Sequence, residues 1–178
     1  AGRAGTVYAD LYNGNMVLGH VDTTMTGNRL PVSVNHYYNS CLTASNDFYC
    51  GYGWKTSMHQ YVYERTISGT EYYVWMDGDG TEHFFPKTGS APYEDAEGMS
   101  LKLQPYSTYY VITDKGNTQM RFNIVSGREK AWLAAVRDSM ENTAQVSYNA
   151  AEGQIARITD PAGRETNFYY TNNLLSSI

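Results

Sequence analysis

Long apolar runs are missing from this chain. Nothing in it approaches the roughly 20 consecutive residues that a membrane-spanning helix needs, so membrane insertion is not expected. A surplus of positive charge is missing too. With 13 Lys and Arg against 18 Asp and Glu the formal net charge is −5, and the bases are scattered. No basic stripe is available to neutralise phosphates, which argues against a nucleic-acid partner. No polybasic cluster suits an anionic membrane surface either. Cysteine is scarce. Cys41 and Cys50 lie together in "SCLTASNDFYC", where they either close a small loop, as in an extracellular protein, or stay as two thiols in a reducing compartment. There is no Cys-x-x-Cys, and His20, His36, His59 and His83 are spread without a short-spaced pair. The residue pattern therefore offers no zinc site, and no metal or other cofactor is expected. Gly-x-Ser-x-Gly is absent as well, which removes the commonest serine-hydrolase signature.

What is present points to strands. The chain has 17 Tyr and 16 Gly with only 17% charged residues; tyrosine favours half-buried strands and glycine favours turns. A chain of 178 residues that is 42% hydrophobic can bury roughly 70% of its unfolded surface, so a core forms without a metal or a staple. The opening "AGRAGTVYADLYNGN" shows no charged n-region followed by an apolar h-region. Either a leader has been removed or the chain is a piece of a longer polypeptide.

The most site-like stretch is "YVWMDGDGTEHFF", Tyr73 to Phe85. Asp77, Asp79, Glu82 and His83 there, with Glu94, Asp95 and Glu97 beyond, make a loosely acidic middle. A calcium loop of the EF type needs alternating oxygens and a glycine at its sixth place. Here glycines fall at the second and fourth places and Glu82 at the sixth. A glycosidase needs two carboxylates across a cleft, and nothing in the spacing singles out such a pair. The sequence therefore reads as a non-enzyme.

The same stretch has three relatives downstream, "YVITDKGNTQMRFN", "LAAVRDSMENTAQVSYN" and "IARITDPAGRETNFYY", carrying Asp114, Asp138 and Asp160 where the first has Asp77. Each aspartate is preceded by an apolar residue two positions back (Trp75, Ile112, Val136, Ile158) and another three further back (Tyr72, Tyr109, Leu133, Ile155). Self-similarity at about twenty-odd residues signals stacked supersecondary units. In each unit a strand rises to an Asp, whose side chain can bond backbone N–H groups just ahead. Gly80, Gly116 and Gly163 then supply positions tolerant of positive φ, Pro161 pre-sets one corner, and a second strand returns. That is a hairpin. "GREKAWLAAVRDSMENTA" is rich in helix formers, yet the repeat makes Leu133 to Asp138 a strand and Asp138 to Asn142 a turn.

The first third is β-like without the repeat. A hairpin is expected around Asn13-Gly14, alternation runs from Val32 onward, two long strands flank Ser68-Gly69, and Lys87 to Gly98 is the clearest loop. Trp54, Trp75 and the many tyrosines could stack sugar rings, or could simply pack across neighbouring strands. Lys55 and Arg65 lie among aromatics and suit cation–π packing.

Residues Tyr148 to Ile178, "YNAAEGQIARITDPAGRETNFYYTNNLLSSI", resemble the YD repeats of bacterial Rhs and wall-associated proteins. Tyr148-Asn149, Gly153-Gln154-Ile155, Asp160, Gly163-Arg164 and Tyr169-Tyr170 fill the repeat positions, and Tyr170 to Leu175 starts the next unit. Asn149 and Thr171 stand where the eponymous Asp would be, and Gly153 is displaced by one residue. Upstream, "GHVDTTMTGNRLPVSVNHYYNS" and "GYGWKTSMHQYV" are similar to the segment that precedes the array in such polypeptides. The resemblance implies an all-β fold, a twisted antiparallel meander of successive hairpins with little or no helix. It implies residues 1–70 as an N-terminal β region and 71–178 as degenerate Asp-turn repeats, forming one compact unit within a longer protein. The implied role is structural: nucleating or capping a β-sheet shell that encloses or displays a C-terminal cargo in a secreted or surface-displayed bacterial protein. Its partners would be the following repeats of the same polypeptide, which Leu174 to Ile178 could meet as a sheet edge, and a glycan or cell wall. The alternative is an aromatic-rich carbohydrate-binding module using Trp54 and Trp75.

Overall fold

The computed structural model describes residues 5–12, 14–27, 29–42, 48–150 and 152–178. Among them are seventeen strands and no helix; the fold is all-β and antiparallel. No helix is long and apolar enough to cross a membrane. The chain divides into two compact units: residues 1–59, 78–80 and 146–178, and residues 60–77 and 81–145.

The first unit opens with a four-stranded sheet in sequential order: β1 (Thr6–Ala9), β2 (Met16–Met25), β3 (Val32–Asn39) and β4 (Trp54–Thr56). The β1–β2 hairpin forms where the turn dipeptide predicts it, although Asn13 itself lies outside the described residues. A bulge between Val21 and Thr23 interrupts β2. Val32 and Val34 are buried, as are Leu42 and Phe48, but so are Asn39, Lys55, Thr56 and His59. The Lys55 ammonium lies over the Phe48 ring, 5.1 Å from its centroid.

The second unit is built from β5 (Tyr61–Ile67), β6 (Thr70–Met76), β7 (Glu82–Pro86), β8 (Tyr93–Glu94), β9 (Lys102–Pro105), β10 (Tyr109–Thr113), β11 (Gln119–Asn123) and β12 (Ala131–Arg137). Except for β7 and β8, neighbours in sequence pair as hairpins, and β12 then returns to the start: Ala131 pairs with Val62 and Trp132 with Tyr61. The result is a nearly closed barrel. Across the remaining gap, the Ala96 N–H donates to the Phe84 carbonyl at 2.8 Å. The Glu97 carboxylate accepts from the Phe84 N–H at 3.1 Å. Alternate residues point inward, and Val62, Phe85, Leu103, Ile112, Phe122 and Leu133 are fully buried.

The helix-rich composition around Ala131 to Arg137 yields to this pairing, and the segment is a strand. Propensity is a weak prior where a strand is hydrogen-bonded on both sides. The expected loop at Lys87 to Gly98 is corrected in part, because it contains β8, which pairs with β9 through Tyr93↔Leu103 and Glu94↔Lys102. Two residues of strand are too few to leave a period in the sequence.

β13 (Thr143–Tyr148) pairs with the C-terminal half of β12. Opposite Arg121 and Phe122 of β11, Ala134 is an extra residue on β12, a bulge in the ladder beside that branch. The first unit then resumes with β14 (Ile155–Thr159), β15 (Glu165–Asn167), β16 (Tyr169–Thr171) and β17 (Leu174–Ser177), paired as two hairpins. Positive φ at both Asn172 and Asn173 marks the β16–β17 turn, as it does at Ser68 and Gly69 between β5 and β6.

Candidate functional site

The four predicted turn aspartates share one geometry. The Asp N–H donates to the carbonyl four residues on: Thr81 from Asp77, Thr118 from Asp114, Asn142 from Asp138 and Arg164 from Asp160, at 2.9–3.0 Å. The same closing residue returns its own N–H to the Asp Oδ1, at 3.0, 2.8, 2.9 and 2.8 Å respectively. In three of the turns Oδ1 also accepts the N–H two residues on, from Gly116, Met140 and Ala162. The carboxylate thereby replaces water for backbone donors that the hairpin leaves unpaired.

The residue before each closing residue has positive φ: Gly80, Asn117, Glu141 and Gly163. The expectation for Gly116 is therefore corrected, since the left-handed position is Asn117, and Asn tolerates it through its short polar side chain. Glu141 takes the same conformation without that advantage.

Sequence reasoning missed two further copies. The Asp10 N–H donates to the Asn15 carbonyl, and Asp10 Oδ1 accepts the Tyr12 N–H. The Asp95 N–H donates to the Leu101 carbonyl, and its two oxygens accept the Met99 and Leu101 N–H groups, both at 2.6 Å. Tyr8 and Tyr93 sit two residues before these aspartates, so the apolar-minus-two signal was there. The longer turns hid it.

The Asp160 copy carries an added clamp. Arg164 Nε and Nη2 both reach Asp160 Oδ2, at 2.7 and 2.6 Å, and Nη2 also donates to the Thr26 carbonyl. Arg29 Nη1 donates to the Pro161 carbonyl at 2.7 Å. Burial alone would raise the Asp160 pKa, but the Arg164 and Ala162 hydrogen bonds and the guanidinium charge hold it below the usual carboxylate range. Asp138 is held low chiefly by the Asn142 side-chain amide.

The acidic middle is occupied by the same kind of work. Besides capping its turn, Asp77 pairs through Oδ2 with His83 Nε2 at 3.1 Å, and His83 lies against Trp75. The Asp79 carbonyl accepts from the Asn39 side-chain amide. Glu82 accepts the Tyr63 hydroxyl at 2.6 Å, which with burial pushes that phenol up to about 12. Glu94 meets Lys102 on the surface. Among the described residues no group of three or more His, Cys, Asp or Glu side chains is placed to hold a metal ion.

Of the aromatic candidates, Trp75 is buried and its indole N–H donates to Gln60 Oε1 at 3.1 Å. Its ring packs against His83, with centroids 4.9 Å apart. Trp54 is half-buried against Tyr38, with ring centroids 5.4 Å apart. Cys41 is exposed, Cys50 is half-buried, and neither is in a disulfide. His59 is fully buried. The Thr56 N–H donates to its Nδ1, and burial, then the Lys55 and His36 charges, lower its pKa to about 3. It is neutral at physiological pH.

Residues 9–85 match a family described as a domain of unknown function, DUF6531. The chain is also 29% identical, over 136 residues, to the tRNA3(Ser)-specific nuclease WapA of Bacillus spizizenii and to the tRNA nuclease WapA of Bacillus subtilis strain 168. The alignments cover 76% of this chain and 5% of each relative. The similarity is to WapA-type proteins, and it corrects the expectation of a non-enzyme, because these relatives are named as nucleases. That expectation rested on motifs within a stretch that matches about 5% of the relatives' length.

Proposed function

We propose that this chain is the β-framework segment of a secreted or surface-displayed, WapA-like and Rhs/YD-type polypeptide whose activity is cleavage of tRNA. The segment starts the sheet onto which further Asp-turn units of the same polypeptide add. The observation that carries this is the recurrence of one Asp-capped closure, with a left-handed residue before the closing residue, at Asp77, Asp114, Asp138 and Asp160. A turn whose aspartate Oδ1 accepts the backbone donors of its own loop is suited to repetition. The similarity to WapA nucleases supports the activity, and the resemblance of Tyr148 to Ile178 to YD repeats supports the location and the partner.

Two assays test it separately. The full polypeptide is incubated with total tRNA, and this chain is incubated alone under the same conditions. Cleavage by the full polypeptide and none by the isolated chain is the expected result. Cleavage by the isolated chain overturns the framework role, and an intact tRNA pool with the full polypeptide overturns the nuclease assignment.

A further inference from the structure

We propose that the outer face of β10 to β13 in the second unit binds a glycan bearing anionic groups. Strand alternation that sends Tyr110, Ile112 and Phe122 inward puts Tyr109, Val111, Gln119, Arg121, Ala135 and Arg137 on the opposite face. Their register places Val111 beside Arg121, Arg121 beside Ala135, and Arg137 beside both Gln119 and Thr143. Together with Tyr106 and Glu141 these residues line a groove of about 510 Å³, within the usual range of roughly 300–1,000 Å³ for small-ligand sites.

Two features give the groove its chemistry. Tyr106 and Tyr109 are stacked, with centroids 4.6 Å apart and planes within 24°, and Tyr106 is 48% exposed. The Arg121 guanidinium lies 5.1 Å from the Tyr109 centroid, and its Nε donates to Asn123 Oδ1 at 2.9 Å. That bond and the ring fix the guanidinium plane, while among the described residues its two Nη groups make no hydrogen bond. Arg137 brings a second guanidinium, paired through Nη2 with Glu141 at 2.6 Å.

A flat aromatic platform takes the apolar face of a sugar ring, and a preoriented guanidinium takes a carboxylate or phosphate in bidentate fashion. The two lie side by side here in a chain of net charge −5, so the positive character is local. RNA fits less well. One guanidinium is already neutralised by Glu141, and no basic stripe continues along the face to follow successive phosphates. The groove contains neither Trp54 nor Trp75, and it does not depend on the proposed framework role.

Affinity electrophoresis of this chain in gels containing oligogalacturonate, phosphomannan, dextran or poly(A) tests the site. Retardation by oligogalacturonate, phosphomannan or both, and not by dextran, is expected; which one retards distinguishes carboxylate from phosphate recognition. Arg121→Ala and Tyr106→Ala should each weaken retention at least tenfold with unchanged thermal midpoints. Glu141→Gln, which releases Arg137, should strengthen it severalfold, a gain that a purely structural ion pair would not give. Equal retardation by dextran, stronger retardation by poly(A), or anionic-glycan binding indifferent to Arg121→Ala would overturn the proposal.

Discussion

The two units bury different things. Inside the nearly closed barrel of the second unit the fully buried side chains include Val62, Val74, Phe85, Leu103, Ile112, Phe122 and Leu133. The first unit also has apolar burial, but it encloses Lys55, Thr56, His59, Asn39, Gln154 and Asp160 as well, against His83 in the second. Apolar burial is indifferent to pH and is lost only by opening the barrel. Buried polar groups hold their place through specific partners, and each partner is a point at which protonation or substitution can undo the arrangement. One chain thus contains a unit stabilised mainly by transfer from water and a unit whose fold depends on satisfied hydrogen bonds.

Truncating the barrel core should give the largest effect. Phe122→Ala removes a fully buried ring and should cost about 3–5 kcal/mol, read as a loss of the denaturant midpoint in urea titration. A cost below about 1 kcal/mol would mean that the barrel interior is not close-packed. In the first unit, Asp160→Ala removes the acceptor of two backbone N–H groups and of the Arg164 fork. It should lower the melting temperature by about 5 °C and expose the contact of Arg164 with Thr26 to exchange with solvent.

Acid should separate the units. Because His59 has a folded pKa of about 3 against an ordinary 6.5, the folded state favours its neutral form. Its contribution is fully present above pH 6.5 and falls away as the pH drops toward 3. Asp160, whose pKa is depressed, contributes above the ordinary carboxylate pKa and loses that contribution below it. The indole N–H resonances of Trp54, in the first unit, and Trp132, in the second, report each unit separately. Trp54 should lose its native position at a higher pH than Trp132, and His59→Gln should narrow the gap.

The smallest effect is expected at Glu141. Glycine there relieves a left-handed backbone by about 1–2 kcal/mol, offset by loss of an exposed ion pair worth about 0–1 kcal/mol. Glu141→Gly should therefore raise the thermal midpoint slightly.

Much of this fold was legible in the sequence because hairpins are local. Ser68-Gly69, the aspartates before their turns, and the strand character of Leu133 within a helix-rich stretch all followed from patterns a few residues long. The closure of the second unit was not legible, because Ala131 and Trp132 meet Val62 and Tyr61 with no local signal to set that register. Asp10 and Asp95 escaped because their turns close over longer loops. That Trp75 is buried against His83 was not legible, because composition cannot tell a packed ring from one facing solvent. The Tyr109 and Arg121 face was implicit in the alternation of β10 and β11, but only the pairing of those strands brings the residues together.

The claim that the aspartates are turn caps, repeated as a structural device, is tested most directly by amide hydrogen exchange at the closing residues. At neutral pH the Thr81, Thr118, Asn142 and Arg164 N–H groups should be protected. Replacing Asp114 with Ala should speed exchange at Thr118 by about tenfold, the equivalent of about 1.4 kcal/mol, while Asn142 and Arg164 are unchanged. Rapid exchange at all four in the unsubstituted chain, or no response at Thr118 to the substitution, would contradict the account.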